Sequence, residues 1–76
     1  MPLTLYIKPS CVQCDATKAA LTRHGLDYVS VDLTTNAEAM SRVQSLGFRS
    51  APVVELEDGT SWSGFRPDLI EVLGKG

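Results

Sequence analysis

Side chains that ligate soft metals or carry redox chemistry are scarce in this 76-residue chain, which has two cysteines and one histidine. A structural zinc site needs four ligands. Cys11, Cys14 and His24 supply three at most, and His24 lies ten residues past Cys14. No metal site is therefore expected within one chain. Strong charge of one sign is also missing. Seven Lys and Arg stand against nine Asp and Glu, a formal net charge of −2. The cations (Lys8, Lys18, Arg23, Arg42, Arg49, Arg66, Lys75) are scattered. They form no basic stripe, which argues against nucleic acid or an acidic membrane as partner. No apolar run is long enough to cross a bilayer. Met1-Pro2-Leu3-Thr4-Leu5 has neither the basic flank nor the long apolar stretch of a signal peptide. Internal repeats, low-complexity segments and linkers are absent. These absences lead us to expect a single soluble, cytoplasmic domain over residues 1–76.

What is present is ordinary globular composition, 43% hydrophobic and 21% charged, with clear local signals. Leu3 to Ile7 reads as a strand ended by Pro9. Ser10 and Gln13 fit a capping box for a first helix, and Gly25 suits its left-handed stop. Tyr28 to Leu33 reads as a second strand. Thr35 and Glu38 form another possible capping box, for a helix with Ala39, Val43 and Leu46 on its apolar face and Gly47 at its end. Val53 to Leu56 and Thr60 to Ser63 read as two strands joined at Asp58-Gly59. Pro67 suits the first position of a last helix, with Phe65 and Ile70 placed as a hydrophobic staple. The order is βαβ followed by ββα. An α/β four-stranded mixed sheet with three helices follows, its first two strands parallel through a right-handed crossover.

Cys11-Val12-Gln13-Cys14 falls after the first strand, at the start of the first helix. Residues i and i+3 are neighbours on a helix, so each thiol can attack a mixed disulfide formed by the other. The first helical turn has N–H groups without helical partners, and these favour a thiolate. In a reducing cytosol such a pair is catalytic or metal-binding rather than structural. A disulfide across so short a loop would also remove little chain entropy. The spacing in this context reads as a redox pair of the thioredoxin type. Cys11, nearer solvent, is the expected nucleophile and Cys14 the resolving thiol. Lys8 is either an ordinary solvated charge or a cation that favours the Cys11 thiolate. Trp62 is expected in the core. Arg66 is a poor N-cap residue, so something other than capping is expected to explain it.

Three segments resemble the NrdH-redoxins, small glutaredoxin-like proteins of the thioredoxin superfamily. They are Lys8-Pro9-Ser10-Cys11-Val12-Gln13-Cys14, Ser50-Ala51-Pro52-Val53-Val54 and Trp62-Ser63-Gly64-Phe65-Arg66-Pro67-Asp68. The resemblance covers almost the whole chain. It implies a thioredoxin/glutaredoxin-like fold, a monomer without a bound cofactor, and a redox-active Cys11–Cys14 disulfide. It implies NADPH used indirectly, through thioredoxin reductase, and the class Ib ribonucleotide reductase large subunit as electron acceptor. It implies a cis bond before Pro52, with the Ala51 backbone open to an extended substrate segment. Partner contacts are expected from Lys8, Val12, Gln13, Ser50, Ala51, Pro52, Gly64, Phe65 and Arg66. Glutaredoxins hold glutathione with small residues where this chain has Phe65 and Arg66, which argues against glutathione as electron source. Thioredoxins have a buried Asp on the first strand. Leu3 to Ile7 has no carboxylate, so water or a partner group is expected to serve Cys14. Two alternatives remain: a glutathione-dependent glutaredoxin, and an iron–sulfur or metal carrier bridged by Cys11 between two chains.

Overall fold

The computed structural model describes residues 3–75. Its elements are β1 (Leu3–Ile7), α1 (Val12–Arg23), β2 (Tyr28–Asp32), α2 (Ala37–Ser45), β3 (Val53–Glu55), β4 (Ser61–Ser63) and α3 (Pro67–Lys75). The four strands form one sheet in the order β2-β1-β3-β4. β1 and β2 are parallel, with Leu3 opposite Tyr28 and Ile7 opposite Asp32. β3 runs antiparallel to β1, and β4 antiparallel to β3. This is the mixed sheet with three helices that the sequence pattern implies. The Leu33, Leu56 and Thr60 ends of the expected strands fall just outside the paired segments.

Side-chain alternation along the strands divides the core between the two sheet faces. Leu3 and Leu5 of β1 pack with Ala20, Leu21, Val54, Trp62 and Ile70, beneath α1 and α3. Tyr6 and Val53 point the other way and pack with Leu33, Ala39 and Val43, beneath α2. Phe65, Leu69 and Leu73 pack against the first cluster, which contains Ile70 and Trp62, so Trp62 has the core place expected of it. The second face also holds a polar link. Glu55 accepts from Tyr6 OH at 2.8 Å and pairs with Arg42 of α2.

Helix starts differ from the expectation. Ser10 lies in the left-handed region (φ +56), whereas an N-cap residue is extended. Cys11 is extended (φ −113, ψ 106), and its own sulfur caps α1. Likewise Asn36, not Thr35, caps α2, its Oδ1 accepting from Ala39 N at 3.0 Å. The stops are as expected. Gly25 N–H donates to Thr22 O and Leu26 N–H to Leu21 O, a Schellman pattern. The β3–β4 connection is longer than a two-residue turn. Leu56 N–H donates to Thr60 O, and Gly59 N–H donates to Leu56 O.

Candidate active site

The carboxyl end of β1 delivers the chain to the start of α1, at the edge of the sheet where open α/β folds place their sites. Cys11 and Cys14 are joined there in a disulfide, with their Cα atoms 5.1 Å apart. The helix separates their surroundings. Cys11 precedes the first helical residue and is partly exposed, whereas Cys14 is 2% exposed. Cys14 N–H donates to Cys11 Sγ at 3.1 Å. Thr17, one turn beyond Cys14, is fully buried, and its hydroxyl donates to the Gln13 carbonyl at 2.8 Å.

A shallow groove of about 440 Å³ runs beside Cys11. Lys8, Ser10, Cys11, Val12, Gln13, Ser50, Ala51 and Gly64 line it. Three segments distant in sequence therefore meet at one sulfur. Val12 is 83% exposed and gives the rim an apolar contact. The Ala51-Pro52 peptide is cis, as expected. Pro52 itself is buried beneath the groove and does not line it. Phe65 and Arg66 also lie outside the lining.

The turn after β4 is fastened both to the cis-proline segment and to α1. Gly64 N–H donates to Pro52 O at 2.8 Å. Ser63 Oγ donates to Ser50 O at 3.2 Å. Phe65 N–H donates to Gln13 Oε1 at 3.3 Å. Gln13 thus reaches across the groove instead of back to Ser10. The shift of the helix start explains this: Gln13 is the second helical residue, not the third, so it is out of register for a capping box. Gly64 has φ +87, a conformation that costs a residue with a Cβ. Arg66 is explained by Asp68: its Nε and Nη2 donate to Oδ1 and Oδ2 at 3.2 and 3.0 Å. These bonds hold the Asp68 carboxyl below its usual range.

Ser10, Thr17 and Ser63 were not among the expected site residues. Ser10 enters the lining through its left-handed backbone, which no residue type there announces. Thr17 had a legible signal, since i+3 from Cys14 places it on the same helix face. Among the described residues, no group of three or more His, Cys, Asp or Glu is placed to hold a metal ion. No helix among them is long and apolar enough to cross a membrane.

Known proteins share this architecture. The glutaredoxin family model matches residues 3–62. The Escherichia coli (strain K12) glutaredoxin-like protein NrdH is 44% identical over 73 residues, covering 96% of this chain and 89% of that one. NrdH of Lactococcus lactis subsp. cremoris is 35% identical, covering 93% and 97%. The solved structure of E. coli NrdH-redoxin, described as glutaredoxin-like with a thioredoxin-like activity profile, superposes with a TM-score of 0.88 at 44% identity. It covers 96% of this chain and 95% of that one. The thioredoxin-like protein BC3987 superposes with a TM-score of 0.86 at 26% identity, covering 93% and 97%. With its cysteine pair at the groove and its likeness spread over nearly the full length, the chain belongs to the glutaredoxin family, as an NrdH-like thiol–disulfide oxidoreductase.

Proposed function

We propose that this chain is a cytoplasmic dithiol donor between thioredoxin reductase and the large subunit of a class Ib ribonucleotide reductase. The reading is carried by the groove, which presents one accessible sulfur beside an open peptide segment, Ser50-Ala51. That form suits an extended protein segment pairing by strand addition. In the reduced protein, the Cys11 thiolate attacks the acceptor's disulfide. One acceptor sulfur leaves as a thiolate, and a mixed disulfide forms at Cys11. The Cys14 thiolate then attacks Cys11 Sγ and releases the second acceptor thiolate. Two electrons have passed to the acceptor, and the Cys11–Cys14 disulfide remains. Thioredoxin reductase, at the expense of NADPH, returns two electrons and restores both thiols.

Val12 and the Ala51 backbone are the proposed contacts for both partners. Lys8 lines the same groove and favours the thiolate form of Cys11. The thioredoxin-like activity profile of the E. coli relative supports a flavoprotein rather than glutathione as electron source. An NADPH-consumption assay with a protein disulfide as acceptor tests this. One arm contains thioredoxin reductase; the other contains glutathione and glutathione reductase. Turnover is expected in the first arm and little in the second. The reverse result would leave a glutathione-dependent glutaredoxin.

A further inference from the structure

Thr17 is fully buried, and the other buried residues of α1 are Cys14, Ala20 and Leu21. Valine has nearly the same shape and would fill this place without burying a hydroxyl, which costs free energy unless it is hydrogen-bonded. The Thr17 hydroxyl donates to the Gln13 carbonyl oxygen at 2.8 Å. A helix does not need such a bond and is slightly disturbed by it, so packing and helix stability leave the hydroxyl unexplained. The Gln13 carbonyl belongs to the peptide that joins Gln13 to Cys14. The other end of that peptide, Cys14 N–H, donates to Cys11 Sγ at 3.1 Å. One rigid peptide plane therefore links a buried hydroxyl to the sulfur that faces the groove. Hydrogen bonds in series polarise one another, so a donor on the carbonyl strengthens the N–H as a donor.

We infer that Thr17 is a positioning residue for Cys11: its hydroxyl fixes and polarises the Gln13–Cys14 peptide, so that the Cys14 N–H favours the Cys11 thiolate. The influence passes through the backbone, since Thr17 is buried and outside the groove lining. It is separate from the charges nearby. Among the described residues that line the groove, Lys8 is the one charged side chain, and Ser50, Ala51 and Gly64 bring no titratable group. On α1 the titratable neighbours of Cys11 are Cys14 and Asp15. The inference rests on the dithiol reading above and deepens it.

The pH dependence of Cys11 alkylation tests it. The pre-reduced protein reacts with iodoacetamide over a pH series, and peptide mass spectrometry follows Cys11 apart from Cys14. The thiolate sulfur forms a C–S bond to the reagent and iodide leaves, so the rate tracks the thiolate fraction. The midpoint of the profile is the readout. Thr17→Val keeps the shape, removes the hydroxyl and raises the midpoint by about 0.3–1 unit, up to the worth of one hydrogen bond. Thr17→Ala also lacks the hydroxyl and repeats the rise. Thr17→Ser restores a hydroxyl and leaves the midpoint at the parent value. An unchanged midpoint in Thr17→Val overturns the inference. So does a rise shared by Thr17→Ala and Thr17→Ser but not by Thr17→Val, because the smaller side chains then act through packing. Reduction of a protein disulfide by the parent protein is measured separately. Its failure overturns the dithiol reading and leaves the midpoints to decide the role of Thr17.

Discussion

Cys14 N–H donates to the sulfur of Cys11 at 3.1 Å, so the sulfur that caps the redox helix is also the sulfur that faces the groove. A backbone N–H donor to a sulfur favours its thiolate form, as does the partial positive charge of a helix start. Cys14 is 2% exposed, and burial favours the neutral form of a thiol. One motif thus holds two unlike thiols.

Trapping experiments read out this asymmetry. Cys14→Ser is expected to hold a stable mixed disulfide with a protein substrate, and Cys11→Ser none. Limiting iodoacetamide at neutral pH should alkylate Cys11 before Cys14 in the reduced parent protein. Intact-mass and peptide mass spectrometry decide both points. Trapping by Cys11→Ser alone would reverse the assignment.

Acid stability should depend on Glu55. Hydrogen bonds from Arg42, and a further one from Tyr6, hold its carboxyl below the ordinary value of 4.5, while burial opposes them. A carboxylate with a lowered folded pKa contributes stability that is complete above the unfolded value. That contribution is lost as pH falls through the folded value. Glu55→Gln should therefore lower the urea midpoint more at pH 7 than at pH 3. Salt should narrow the gap, because the Arg42 side chain is 52% exposed. Equal losses at the two pH values would contradict the linkage.

Substitution of Gly64 should act through the backbone rather than through crowding. A Cβ there would lie 3.7 Å from Gln13 Oε1, an ordinary contact. The φ of +87 is the obstacle. Gly64→Ala is expected to cost about 1–2 kcal/mol of unfolding free energy, and Gly64→Asn less, since Asn visits this region more readily. Chemical denaturation of both variants provides the comparison.

Core truncation should be felt strongly in a domain of this size. Leu5 lies on β1, a central strand, and is fully buried among Leu21, Val54 and Ile70. Leu5→Ala is expected to cost about 2–5 kcal/mol. At about 4–8 °C per kcal/mol for a small domain, calorimetry would show a fall in Tm of at least about 8 °C. A shift of only one or two degrees would mean that the site collapses around the smaller side chain.

Elements governed by neighbours in sequence were legible without a structure. Strand positions followed from runs such as Leu3 to Ile7. Helix ends followed from Gly25 and Gly47, because a left-handed stop depends on one residue. Pro67 marked the start of α3 for the same reason. The Cys11–Cys14 pair was legible because i, i+3 spacing on a helix is a local geometry.

Tertiary structure decided what depends on backbone twist and long-range meetings. The left-handed turn at Ser10 moves the helix start by one residue. That shift hands the capping role to Cys11 and frees Gln13 to bind Phe65 N–H. The link of Arg42 to Glu55 and Tyr6, and the groove shared by Lys8, Ala51 and Gly64, join segments that no periodicity connects. The sequence by itself determined the strands, the helix stops and the redox pair, because each is set by residues one turn or one strand apart. Only the folded chain decided which wall each groove residue occupies and which donors are already filled, because those depend on where distant backbone segments come to rest.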